Sequence, residues 1–243
     1  MKAFSRVVAE RDNLGGTRLT VLHSESPLLL RRTGPTTVHL VGGGAGPLRG
    51  DDLRLDIAVG PGATLEIRSV AAQLALPGRD HLPPSRFEIT ATVAAGATLR
   101  WHPEPMIAAA GCDHHTITRV DVAEGGTLLW RDDLVCGRHH EDSGNVRLDT
   151  TIRYAGTTLY RHDLAVGPAA PGWSGPAILG GGRAIGTIVF APDTMPATSG
   201  PGDYALMPLA GPGMLATAIA DDIRPVQAAL DPLCEPTRAL AHT

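Results

Sequence analysis

A seven-residue phrase returns four times through the middle of the chain at intervals of about 30 residues, a period that marks repeated supersecondary units. The copies are Val59-Gly60-Pro61-Gly62-Ala63-Thr64-Leu65, Val93-Ala94-Ala95-Gly96-Ala97-Thr98-Leu99, Val122-Ala123-Glu124-Gly125-Gly126-Thr127-Leu128 and Arg153-Tyr154-Ala155-Gly156-Thr157-Thr158-Leu159. In each, a small pair followed by glycine supplies the positive φ of a tight reversal, and Thr-Leu restarts a β-favouring run. In Leu65-Glu66-Ile67-Arg68 and Leu99-Arg100-Trp101-His102, apolar and polar residues alternate, as on a strand with one dry face. The pattern predicts a mainly β protein of repeated hairpins forming layered sheets.

The rest of the chain fits one large β domain over 1–243, within the size range of sandwiches and barrels. The repeat region runs over about 51–166, and a loop-rich part over 167–243. Aromatic residues are only 4% of the chain, so the core has to come from Val, Leu, Ile and Ala. The 29 glycines and 20 prolines punctuate short elements and disfavour a helical bundle. Three early strands are expected around 5–10, 18–23 and 37–41, a strand pair at 177–179 and 184–190, and a late strand at 214–219. A long proline-containing loop is expected at 191–202, and a short C-terminal helix opening at Asp221-Asp222 and ending at Pro232.

Several function classes lack support. The net charge of −4 carries no basic run suited to nucleic acid. The glycine-rich loop 42–50 matches neither a dinucleotide fingerprint nor a P-loop, and neither a nucleophile elbow nor a zinc helix of the His-Glu-x-x-His type occurs. Nothing apolar near the amino terminus is long enough for a secretion signal or a membrane span, and the three widely spaced cysteines fit a reducing compartment, so a cytoplasmic protein is expected.

Histidine breaks the blandness: six of ten lie between His102 and His162, in a window that also holds Cys112 and Cys136. Imidazole with thiolate or carboxylate suits nickel, zinc or copper. No cysteine pair has structural-zinc spacing, so a weak, exchangeable site is expected, drawn from His102, His114, His139, His140 and Glu141. The acidic pairs Asp51-Asp52 and Asp132-Asp133 add Asp51 and Asp132, because neighbours on a strand point to opposite faces and one member of each pair can line a polar cavity.

The order of these pieces resembles the urease accessory protein UreD (UreH) family. The resemblance rests on Gly50-Asp51-Asp52-Leu53-Arg54-Leu55 with its following turn, Ser69-Val70-Ala71-Ala72, Trp101-His102-Pro103-Glu104-Pro105, and Asp132-Asp133-Leu134-Val135-Cys136-Gly137-Arg138. It implies a non-enzymatic scaffold that binds apo-urease and UreF, with the GTPase UreG joining through UreF and a homodimer within the complex as one arrangement. It also implies that Ni²⁺ passes transiently, with no permanent cofactor, and that Ser69 and Arg138 belong with the residues above. Two other readings compete on the residues alone. One is a metal-dependent β enzyme using His114, His115, His139 and His140; the other is a plain interaction module with exposed apolar edges near Trp173 and Phe190.

Overall fold

The computed structural model describes residues 1–192 and 203–234, and the expected loop at 191–202 lies almost wholly outside them. The first three copies of the phrase join strands that belong to different sheets. Val59–Leu65 carries the chain from β5 (Asp52–Val59) to β6 (Thr64–Ser69), Val93–Leu99 from β8 (Ser85–Val93) to β9 (Thr98–His102), and Val122–Leu128 from β11 (Asp113–Val122) to β12 (Thr127–Val135). Strands β5, β8 and β11 then pair side by side in parallel, as do β6, β9 and β12. The repeat is therefore a coil of a β-solenoid-like stack, and adjacent coils sit about 4.8 Å apart, one strand spacing. Only the fourth copy closes a hairpin, between β13 (Asn145–Tyr154) and β14 (Thr157–Val166).

The periodicity therefore gives β structure and layered sheets, while the pairing is parallel where the local pattern suggests hairpins. A glycine turn serves equally well to reverse a strand onto its neighbour or to lead it into the opposite layer. The choice falls to the long-range stacking of identical turns. Thr98 N–H donates to Ala63 O (2.9 Å), Thr127 N–H to Ala97 O (2.8 Å) and Gly96 N–H to Gly125 O (3.0 Å), so each turn is hydrogen-bonded to the next. At Gly96, φ is +68°, a conformation costing an L-residue about 1–2 kcal/mol. Gly96→Ala is accordingly expected to lower stability by that amount in a urea titration.

One sheet has the order β14-β13-β11-β8-β5-β1-β2, with β1 at Lys2–Arg11 and β2 at Thr17–His23. The other runs β16-β17-β15-β12-β9-β6-β4-β3, with β3 at Leu28–Arg32, β4 at Thr37–Gly42, β15 at Ala184–Ala191, β16 at Ala205–Pro208 and β17 at Met214–Ala220. Two short strands, β7 (Gln73–Ala75) and β10 (Met106–Ala108), continue it beyond the end of β9. Strand β3 escapes the sequence pattern because Leu28-Leu29-Leu30-Arg31-Arg32 does not alternate. Residues 177–179 form turns, so no strand pair is made there.

The inward faces meet in a dry core. Coil stacking aligns Leu65, Leu99 and Leu128 in one row and Ile67, Trp101 and Trp130 in the next, with the two indoles stacked at 4.8 Å and 9°. The single helix, α1 (Ile223–Cys234), covers the outer face of β15 and β17. Its first turn is capped by Asp222, whose Oδ1 accepts the Arg224 N–H at 2.9 Å. The helix does not stop at Pro232 but runs through it, because Leu233 and Cys234 beyond it are buried in the same apolar seam as Val226, Ala229 and Leu230. That burial outweighs the one hydrogen bond a proline forfeits. Among the described residues no helix is long and apolar enough to cross a membrane.

Candidate functional site

Between the sheets lies a cavity of about 360 Å³, lined by Ser69, Gln73, Glu104, Thr116, Asp132 and the backbone loop Gly44–Pro47 among apolar neighbours. The repeat explains its polar wall. In the three stacked coils the fourth residue after the Thr-Leu leucine is Ser69, Pro103 or Asp132, and all three line the cavity. Ser69 Oγ accepts the Glu104 N–H at 2.8 Å and donates to Ala71 O at 3.0 Å, which holds the β6 exit beside the Pro103–Pro105 segment.

Asp132 sits at the far end. Its Oδ2 accepts the Trp130 indole N–H at 2.9 Å. Burial pushes its carboxyl up to about 6, against the pull of that indole bond. On its other side is a second void of about 20 Å³ lined by Thr150, Tyr160, His162 and Thr187. Asp132 from one sheet and Leu148 from the other line both voids, so the carboxylate stands between them. Burial keeps the His162 ring below the usual histidine range, hence neutral and able to donate a lone pair to a cation.

The other residues singled out from the sequence are dispersed. Asp51 is buried at the start of β5, where it accepts the Leu48 N–H at 2.9 Å and pairs with the Met1 ammonium. His114 is a satisfied core residue, with Nδ1 at 2.9 Å from Ser85 Oγ and Nε2 at 3.0 Å from Thr116 Oγ1. Burial lowers it to about 3. His102 lies on the outer face of β9, its Nε2 at 3.0 Å from Arg131 Nη1. His139 and His140 occupy an exposed turn with ring centroids 3.8 Å apart, next to an Arg138–Glu141 ion pair that holds the Glu141 carboxyl down at about 2. Among the described residues no three His, Cys, Asp or Glu side chains converge on a metal-holding geometry.

Ser69 and Asp132 are thus brought to one cavity, and Asp51, His102, His114, Arg138, His139, His140 and Glu141 are not. Thr116, Thr150 and Thr187 were missed, since an inward threonine on a strand looks in sequence like any β-former. The inward row Leu55, Ile89, Thr118, Thr150, His162 shows the change from apolar to polar across the first sheet, and only the register reveals it. Trp173 is half-buried and Phe190 buried beneath α1, so neither forms an exposed apolar edge.

The described residues form a stacked-coil β scaffold whose layers enclose two voids that meet at Asp132. A family model described as UreD urease accessory protein matches residues 1–243, and the chain belongs to that family. It is 41% identical to the urease accessory protein UreD of Parafrankia sp. (strain EAN1pec), over 96% of this chain and 88% of the relative. It is also 41% identical to UreD 3 of Streptomyces griseus subsp. griseus, over 95% of each, and 40% identical to UreD of Streptomyces avermitilis, again over 95% of each.

Proposed function

We propose that this urease accessory protein serves urease maturation as a non-enzymatic cytoplasmic scaffold, and that the paired voids between its sheets carry Ni²⁺ towards apo-urease. UreF docks on it and brings the GTPase UreG, which supplies the nucleotide hydrolysis that this chain has no loop to perform. The position of Asp132 between the two voids is the observation that carries the reading. A dry conduit needs a fixed charge to draw a divalent ion from one side to the other, and sparse oxygen and imidazole donors hold Ni²⁺ weakly enough to let it go. Ser69 and Glu104 stand at the wider end and His162 at the narrower.

Blocking the narrow void without altering charge tests this directly. Thr187 lines it from β15, and Thr187→Phe is expected to slow activation of purified apo-urease by UreF, UreG, GTP and Ni²⁺ several-fold, with co-purification of UreF unchanged. Full activation by a folded Thr187→Phe chain would rule out the route.

A further inference from the structure

On the opposite face of β12 from Asp132, the Arg131 guanidinium is surrounded by groups that ordinarily bind metals. Its Nη1 lies 3.0 Å from His102 Nε2, 2.6 Å from Asp231 Oδ1 and 3.6 Å from Cys234 Sγ. Its Nε donates to Asp133 Oδ2 at 3.0 Å and Oδ1 at 3.2 Å, and Nη2 approaches Oδ2 at 2.8 Å. The Arg131 and Asp133 side chains are 1% and 2% exposed. Because the arginine donates to Nε2, that nitrogen presents a lone pair to it, and the ring's other nitrogen, Nδ1, is buried without a partner. An imidazole, a carboxylate and a thiol surround Nη1 while a second carboxylate holds the Nε–Nη2 edge, a ligand set for a borderline divalent ion arranged around a cation the chain carries itself.

We propose that Arg131 is a tethered cation filling a latent His102/Asp133/Asp231/Cys234 metal site, and that it thereby keeps divalent ions from lodging beside the route through Asp132. Asp133 lines the wider void as well as touching Arg131, so an ion drawn to Asp132 comes within one residue of this set. Four ligands of mixed N, O and S would hold nickel or zinc far more tightly than a transit site should. With the arginine present, the ligand atoms stand 2.6–3.6 Å from Nη1, so to bond a metal there Asp231 would have to close by about 0.5 Å and His102 and Cys234 by about 1 Å or more. The site itself is argued from these contacts alone, whereas its effect on transit rests on the route proposed above.

The test uses the full chain and Co²⁺ as probe. Arg131→Gln is expected to bind one equivalent at least tenfold more tightly than the wild-type chain, with a thiolate-to-cobalt charge-transfer band that disappears in Arg131→Gln/Cys234→Ser. Arg131→Lys, which keeps a cation in place, should exclude the metal as the wild type does. A folded Arg131→Gln chain that binds Co²⁺ no better than wild type, or whose bound cobalt is indifferent to Cys234→Ser, would overturn the inference. If the lone Asp133 prevents folding, Arg131→Gln/Asp133→Asn removes the unpaired charge and leaves three ligands. A cysteine-dependent band is still expected from it, and its absence would be equally decisive. Because this readout needs no urease, a failure here is separate from a failure of the route, which the Thr187 variant reports.

Discussion

Asp132→Asn is expected to make the folded chain more stable at neutral pH while cutting urease activation tenfold or more. The two effects share a cause. The carboxyl is raised from 3.8 to about 6 chiefly by burial, so the folded state keeps its proton to a higher pH than the unfolded chain does. Below about pH 4 both states are protonated and Asp132 costs nothing; between 4 and 6 the folded state loses ground; above 6 the penalty is constant at about 2–3 kcal/mol. Asparagine can still accept the Trp130 indole bond through its amide oxygen, so it relieves that penalty with little rearrangement. Urea titrations at pH 7.5 and pH 4 should therefore show a stability gain at the higher pH that vanishes at the lower. Activation, which under the proposed reading needs a negative charge between the two voids, falls. A variant that lost stability equally at both pH values would mark the carboxylate as a structural group.

Gly186→Leu is expected to act in the opposite way, destabilising the chain strongly while sparing the route. Gly186 pairs with Asp133 across the β12–β15 ladder, directly beneath α1. A Cβ there would fall 2.6 Å from Asp133 Oδ1, 2.6 Å from Val226 Cγ1 and 2.7 Å from Leu230 Cδ1, all inside contact distance. The helix has to lift, and with it Val226, Leu230 and Leu233 lose much of their burial, at about 1.5–3 kcal/mol for each side chain fully exposed. A loss of roughly 3–5 kcal/mol is the expected outcome, seen as a lowered thermal midpoint and as faster proteolysis near the C-terminus. Asp132 and Thr187 face the other side of this sheet, so activation per folded molecule should stay close to wild type. Loss of activation out of proportion to the folded fraction would tie α1 to the transfer step itself.

What the sequence shows of this architecture is local. The Gly-x-Thr-Leu turns, the alternation after them and the aspartate before the helix each report on a few consecutive residues, and each has its counterpart in the fold. The parallel stacking does not show, because it depends on hydrogen bonds between Ala63 and Thr98, or Ala97 and Thr127, about 30 residues apart. The same limit governs the site. Counting histidines draws attention to His114, His139 and His140, yet one is bonded into the core and two sit on a surface turn, since clustering in sequence says nothing of the direction a side chain faces. Asp132 and Ser69 are legible by a different route. Each lies four residues after a repeat leucine, and equal phase in stacked coils means equal depth in the protein. Thr116, Thr150 and His162 opposite them come from the other sheet, and Thr187 from β15 beside Asp132, strands that carry no such marker.

Equal phase also makes the proposed route composable. Each coil supplies one inward residue at the level of Asp132, so the lining is set at one position per repeat while the leucine and tryptophan rows that hold the stack together stay as they are. Pro103 is the blank in that series, between a hydroxyl at Ser69 and a carboxylate at Asp132. A donor installed there would change the sequence of ligands an ion meets without touching the core rows, and an added coil would lengthen the path by about 4.8 Å, the width of one strand.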